Sequence, residues 1–145
     1  MLSPVRTALV RQLADRHNRA MLKYLLIALG GGLGSMLRYC MHGWVQRLAA
    51  VSFPWGTFAV NVLGCLLIGC LAAVFGAHSQ VREEYRLGLI VGVLGGFTTF
   101  STFGFETFKL AEQGAIGLAL LNMAASCGAG LLAVAIGYWS VARLL

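Results

Sequence analysis

The segment Gly95–Phe103 has the sequence GGFTTFSTF, and it decides how the chain can fold. It lies inside an apolar run from about Leu87 to Phe108, yet two glycines and four hydroxyl residues occupy its nine positions. Glycine lowers helix propensity, and Ser and Thr compete for backbone hydrogen bonds, so the segment predicts an interruption in the middle of a helix. In a bilayer, such an interruption is tolerated only where protein, water or an ion satisfies the freed backbone groups. Two interpretations stay open from the segment alone: a broken helix that serves ion transport, or a tightly packed helix whose hydroxyls bond to the preceding turn.

Three further apolar runs surround this one, from about Lys23 to Val45, from Gly56 to Ala77 and from Ala115 to Ala142. Each has roughly the 20 residues that a transmembrane helix needs. Charged residues make up only 11% of the chain and apolar residues 59%, whereas a soluble domain carries about 25% charged residues. The sequence therefore predicts an all-α integral membrane protein of four transmembrane helices, with the third helix broken in mid-span and the lipid bilayer as its surroundings.

Composition also limits which functions the chain can have. The net charge is +6, but the cationic residues collect in the first twenty positions and at helix ends, without a basic stripe and interleaved aromatics. A nucleic-acid partner is therefore not predicted. The four cysteines form no CxxC pair and are interpreted as small membrane-core residues. We expect no enzyme activity, since the sequence offers no nucleophile–base pairing, phosphate loop or metal cluster.

The distribution of positive charge indicates the topology. An even number of spans places both termini and the middle loop on one side of the membrane. From Met21 onward, the cations are Lys23, Arg82, Arg86 and Arg143 on that side, and Arg38, Arg47 and Lys109 on the other. Because four against three is almost no positive-inside bias, such a chain could insert in both orientations. Two opposite copies would then form an antiparallel, dual-topology homodimer.

The first twenty residues disturb this balance. They add four arginines to one side, namely Arg6, Arg11, Arg16 and Arg19. The segment is interpreted either as the product of a start placed too early or as a basic helix that lies on the membrane surface. The predicted organisation is a basic extension over residues 1–20 and a four-helix domain over residues 21–145.

A few polar side chains stand out within the apolar runs. The amides of Asn61 and Asn122 are costly in a membrane unless they pair across helices or face water. Arg38 could reach the interface with its guanidinium, or could give positive potential to an anion vestibule. Glu106 lies near the end of the third span, where it could pair with a neighbour or cap the helix.

Phe100 and Phe103 are three residues apart and share a helix face if the helix resumes there. Aromatic rings carry a positive edge, which could contact a small desolvated anion. The alternative is ordinary packing of an aromatic pair.

The order of these motifs is similar to that of the CrcB/Fluc fluoride channels, from Met21 almost to the end of the chain. The pieces that carry the resemblance are GGGLGSMLRY (30–39), FPWGTFAVNVLG (53–64), GGFTTFSTF (95–103) followed by Glu106, and LLNMAAS (120–126). The combination of GT-x-x-VN-x-x-G with GG-x-TTFSTF is the specific part. The chain departs from the family at Gly104 and Gly130, which stand where many members have Ser.

The resemblance implies a multi-pass protein of the bacterial cytoplasmic membrane, which exports fluoride passively through the two pores of an antiparallel dimer. The residues it places along the fluoride pathway are Asn61, Phe100, Phe103, Thr99, Ser126 and Arg38. It also implies a structural sodium ion at the dimer centre, bound by the backbone carbonyls of Gly95 and Thr98. Glu106 and Asn122 are predicted to have structural or gating roles.

Two other functions remain open. A small proton-coupled exporter of cationic drugs would have a similar size, but it would need an ionisable carboxylate deep in a helix. A non-transporting accessory subunit would use its faces of small residues to contact a larger membrane complex.

Overall fold

The computed structural model describes residues 4–49, 53–78 and 80–145, with side chains from residue 11 onward. In order, the helices are α1 (Pro4–Ala49), α2 (Trp55–Ala77), α3 (Glu83–Leu87), a π-helical stretch (Gly88–Leu94), α4 (Gly95–Phe97), α5 (Phe100–Glu112) and α6 (Ile116–Ala142). Within these described ranges, four helical spans are long and apolar enough to cross a bilayer. The predicted all-α, multi-pass membrane architecture is therefore confirmed.

The first helix is longer than the sequence predicted. It has 46 residues and begins at Pro4, not near Lys23, so at about 1.5 Å per residue it is roughly 69 Å long. No proline or glycine interrupts residues 5–29, which is why the helix continues through the arginine-rich start. The side chains of residues 11–21 are exposed, while the side chain of Arg6 lies outside the described residues. The separate role proposed for residues 1–20 stays a prediction.

The third span is built from several pieces. The connection from α2 is short, because α2 ends at Ala77 and α3 begins at Glu83. The π-helical stretch follows and leads into α4, and its hydrogen bonds join residues five apart instead of four. Thr98 and Thr99 then take extended dihedrals, with φ/ψ of −80/159° and −152/113°, and α5 begins at Phe100.

Glycines allow the spans to approach closely. The longest packing interface joins α2 to α6, and α1 packs along the π-helical stretch and α4. A Cβ atom at Gly69 would meet the Val134 carbonyl, and one at Gly137 would meet the Leu66 carbonyl. The Gly30–Gly34 pair likewise lets α1 approach the third span, since a Cβ at Gly34 would meet the Val93 carbonyl. The backbones are therefore in direct contact, as small-xxx-small spacings predict.

We expect Gly34→Ala to destabilise the fold by about 1–3 kcal/mol, because its methyl group has no room. Its Cβ would lie 2.8 Å from the Phe97 nitrogen. Gly32→Ala is the matched control, since nothing lies within 4 Å of a Cβ at that position and alanine is the better helix former. Thermal unfolding of both variants in detergent measures the difference, and equal midpoints would contradict this account of the interface.

Candidate functional site

The side chain of Asn61 holds the extended residues of the third span. Its Nδ2 donates to the Thr99 carbonyl at 3.1 Å, and its Oδ1 accepts from the Thr99 N–H at 2.9 Å. One amide therefore satisfies both backbone groups of a residue that lies outside the helical ladder. This pairing supplies what non-helical backbone requires at membrane depth.

The hydroxyl groups of the segment satisfy the neighbouring helix ends. Thr99 caps α5, since its Oγ1 accepts from the Thr102 N–H at 3.3 Å and donates to the Thr102 hydroxyl at 2.9 Å. The Thr98 hydroxyl donates to the Leu94 carbonyl at 3.0 Å. The two threonines therefore differ. The Thr98 hydroxyl bonds to the preceding turn, as in a tightly packed helix, whereas Thr99 occupies non-helical backbone.

The same geometry releases carbonyl oxygens at the end of α4. In a continuous helix the Thr99 N–H would donate to Gly95, but here it donates to Asn61. The Thr102 N–H would donate to Thr98, but here it donates to the Thr99 side chain. The carbonyls of Gly95 and Thr98 thus lose their helical donors, and such neutral oxygens are suited to a hard cation. The donor set fits the sodium site that the resemblance implies.

A cavity of about 360 Å³, here called the Phe100 cavity, lies beside the extended residues. Seven of the predicted site residues line it, namely Asn61, Gly95, Thr98, Thr99, Phe100, Phe103 and Ser126. The Phe100 and Phe103 ring centroids are 5.5 Å apart, with the planes at 45°. Phe100 is 82% exposed, so its ring stands at the open side of the cavity.

Arg38 lies in a second cavity of about 410 Å³, here called the Arg38 cavity. Ser35, Thr57 and Thr102 line it together with Arg38. Thr99 lines both cavities, so they adjoin at the residue that Asn61 holds. The predicted pathway residues are therefore divided between two adjacent spaces.

Asn122 lies outside these two linings. It is 1% exposed and donates to the Thr107 hydroxyl at 2.7 Å, while its Oδ1 accepts from Ser126 at 3.3 Å. Thr107 in turn donates to the Phe103 carbonyl at 2.7 Å. This network joins α5 to α6 behind the Phe100 cavity and fixes the position of Ser126.

The amino-acid sequence alone did not predict the partners of Glu106. Its Oε1 accepts from the Thr57 hydroxyl at 2.9 Å and lies 3.6 Å from His42 Nε2. Its Oε2 is buried with no hydrogen bond among the described residues. Helical spacing could have indicated this cluster. Thr57 precedes Asn61 by four residues and His42 follows Arg38 by four, so each lies on the same helix face as a predicted pathway residue.

Comparison with known proteins adds independent findings. The family model described as "CrcB-like protein, Camphor Resistance (CrcB)" matches residues 25–138. A protein from Thermus thermophilus is 49% identical over 80% of this chain and 91% of its own length, and one from Acidobacterium capsulatum is 44% identical over 80% and 93%. A third, from Geobacter sulfurreducens, is 51% identical over 70% and 82%. All three carry the name "Fluoride-specific ion channel FluC".

We expect Asn61→Ala to destabilise the protein by about 2–4 kcal/mol, because it leaves the N–H and carbonyl of Thr99 without their partners. Asn18→Ala is the matched control, since Asn18 is exposed on α1. Unfolding midpoints in detergent compare the two variants. If Asn61→Ala and Asn18→Ala had the same unfolding midpoint, the Asn61 amide would not be what holds the extended residues.

Proposed function

The chain belongs to the CrcB-like family, and from this premise we propose that it is a fluoride-selective ion channel, through which fluoride leaves the bacterial cytoplasm down its electrochemical gradient. The proposal rests on one observation: the Arg38 cavity and the Phe100 cavity adjoin at Thr99, which lines both. Together they form a line of polar groups, ring edges and one cation across the middle of the subunit. Among the described residues, no carboxylate lines either cavity.

The groups along this line suit a small anion. An amide nitrogen has two N–H bonds, and Asn61 uses one of them on Thr99, so the other can donate to an ion in the Phe100 cavity. The two phenylalanine rings offer their positive edges there. Arg38 gives the Arg38 cavity a positive potential, which raises the local concentration of anions. Many weak donors can replace a hydration shell and still release the ion, as conduction requires.

We further propose that the channel is an antiparallel homodimer with two pores. Gly95 and Phe100 are exposed beside polar backbone, and lipid cannot satisfy such groups. A second copy placed over this face would cover them and close the Phe100 cavity. The near-equal distribution of cations across residues 21–145 supports opposite orientation, whereas the four arginines of residues 1–20 add positive charge to one side.

The proposed dimer would bind a structural sodium ion at its centre. The carbonyls of Gly95 and Thr98, which have lost their helical donors, would coordinate it from each subunit. The ion would add positive charge between the two pores and stabilise the association of the subunits.

The proton-coupled exporter is disfavoured by the position of Glu106. Its hydrogen-bond partner Thr57 is the third residue of α2, close to the end of that span. An exporter of this kind needs its carboxylate deep in the membrane.

Fluoride efflux from liposomes tests the channel directly. We expect purified protein to release fluoride rapidly and chloride hardly at all, and Phe100→Ile to reduce fluoride efflux to the leak of protein-free liposomes. The ring edge is lost, while an 82% exposed side chain contributes little to folding. Phe108→Ile is the matched control, because Phe108 is also exposed on α5, at 61%, and lines neither cavity.

Chloride efflux as fast as fluoride efflux would refute selectivity. Equal loss of efflux in Phe100→Ile and Phe108→Ile would refute the role of the ring. Transport that occurs only under a proton gradient would favour the proton-coupled exporter over the channel.

Removal of sodium tests the proposed ion. We expect exhaustive exchange into N-methylglucamine chloride to reduce both the dimeric fraction and fluoride efflux, with recovery when sodium is added back. Flame photometry of the exchanged protein verifies that the ion has left. An unchanged dimer with full efflux after verified removal would exclude a structural sodium ion.

A further inference from the structure

A cavity of about 300 Å³ lies where α1 leaves its apolar run and meets the start of α3. We call it the Arg19 cavity. Its charged lining residues are Arg16, Arg19, Lys23, Arg82, Glu83 and Glu84. It is separate from the two cavities of the proposed pathway, with which it shares no lining residue.

The carboxylates in this cavity are already paired. Lys23 Nζ lies 2.9 Å from Glu83 Oε2, and Arg82 Nε lies 3.4 Å from Glu84 Oε2. Arg16 and Arg19 form no ion pair with any described residue. Four cations against two carboxylates leave the cavity with two uncompensated positive charges, so it is suited to an anion.

The cations converge from two elements. Arg16, Arg19 and Lys23 are spaced by three and four residues, which places them on one face of α1. Arg82 approaches from the residue before α3. Planar guanidinium groups can each donate two parallel hydrogen bonds to phosphate oxygens, which makes phosphate the best match for paired arginines.

The position of the cavity in the membrane indicates the source of the phosphate. Lys23 marks the start of the apolar run, so the cavity lies at the level of the lipid headgroups. The next side chains along α1, Tyr24 and Leu25, are 74% and 54% exposed. They project from other faces of α1, where acyl chains can cover them just below the level of the cations.

We propose that the Arg19 cavity binds the phosphate of an anionic phospholipid. The headgroup oxygens accept hydrogen bonds from Arg16 and Arg19, and Lys23 and Arg82 complete the positive surface. This site does not depend on the proposed fluoride transport, because its residues lie outside the pathway. In an antiparallel dimer, one such site would face each leaflet.

Native mass spectrometry of the detergent-purified protein, titrated with dioleoylphosphatidylglycerol or dioleoylphosphatidylcholine, tests the proposal. We expect tighter binding of phosphatidylglycerol, and an approximately thirtyfold loss of that binding in R16Q/R19Q, since each surface cation contributes about fivefold. R11Q/R143Q is the matched control, because it removes the same charge from two residues outside the cavity. We expect it to bind within about threefold of the unchanged protein.

The thermal unfolding midpoint in detergent verifies that each variant is folded, and we expect both the midpoint and fluoride efflux from liposomes to be unchanged in R16Q/R19Q. If that variant does not fold, R16K/R19K keeps the charge while removing the paired donors, and a loss of at least about threefold in it supports the site. Equal losses in R16Q/R19Q and R11Q/R143Q would overturn the proposal in favour of diffuse attraction. Displacement of the lipid by inorganic phosphate, but not by chloride of equal ionic strength, would overturn the lipid assignment and leave a site for free phosphate.

Discussion

The structure depends on one constraint: backbone that leaves the helical ladder inside a bilayer must find new hydrogen-bond partners. Thr98 and Thr99 leave the ladder, and the Asn61 side chain returns both bonds to Thr99. The distances of 2.9 and 3.1 Å are those of ordinary amide hydrogen bonds. Without this exchange, the released carbonyls, the cap of α5 and the placement of Phe100 would not be stable in the same span.

The exchange is possible because the second helix approaches the third so closely. Gly64 follows Asn61 by one helical turn and therefore lies on the same face of α2. A Cβ at Gly64 would collide with the Thr98 methyl group. The motif VN-x-x-G thus combines an amide that bonds to the extended backbone with a position that leaves room for the neighbouring threonine.

Hydropathy predicted the four spans, and Thr98 and Thr99, which have extended dihedrals, lie within the Gly95–Phe103 segment. The sequence could not identify what Asn61 would bond to, because a partner 38 residues away is determined by how two helices pack. The start of α1 was misjudged near Lys23, since hydropathy reports where lipid begins and not where a helix begins. The cluster of His42, Thr57 and Glu106 was missed for a related reason: each residue alone resembles an ordinary helix-end side chain.

In the proposed pathway, the hydrogen bonds already made decide which groups are left for an anion. Thr57 donates its hydrogen to Glu106, and Ser126 donates to Asn122, so both hydroxyls present acceptors to their cavities. Thr102 accepts from Thr99 and keeps its own hydrogen. The donors that remain are therefore dispersed, and they include one Asn61 N–H, the Thr102 and Tyr39 hydroxyls, two ring edges and the Arg38 guanidinium. A sparse set of this kind cannot bind an anion tightly at any single point, and weak successive binding is what allows an ion to move on.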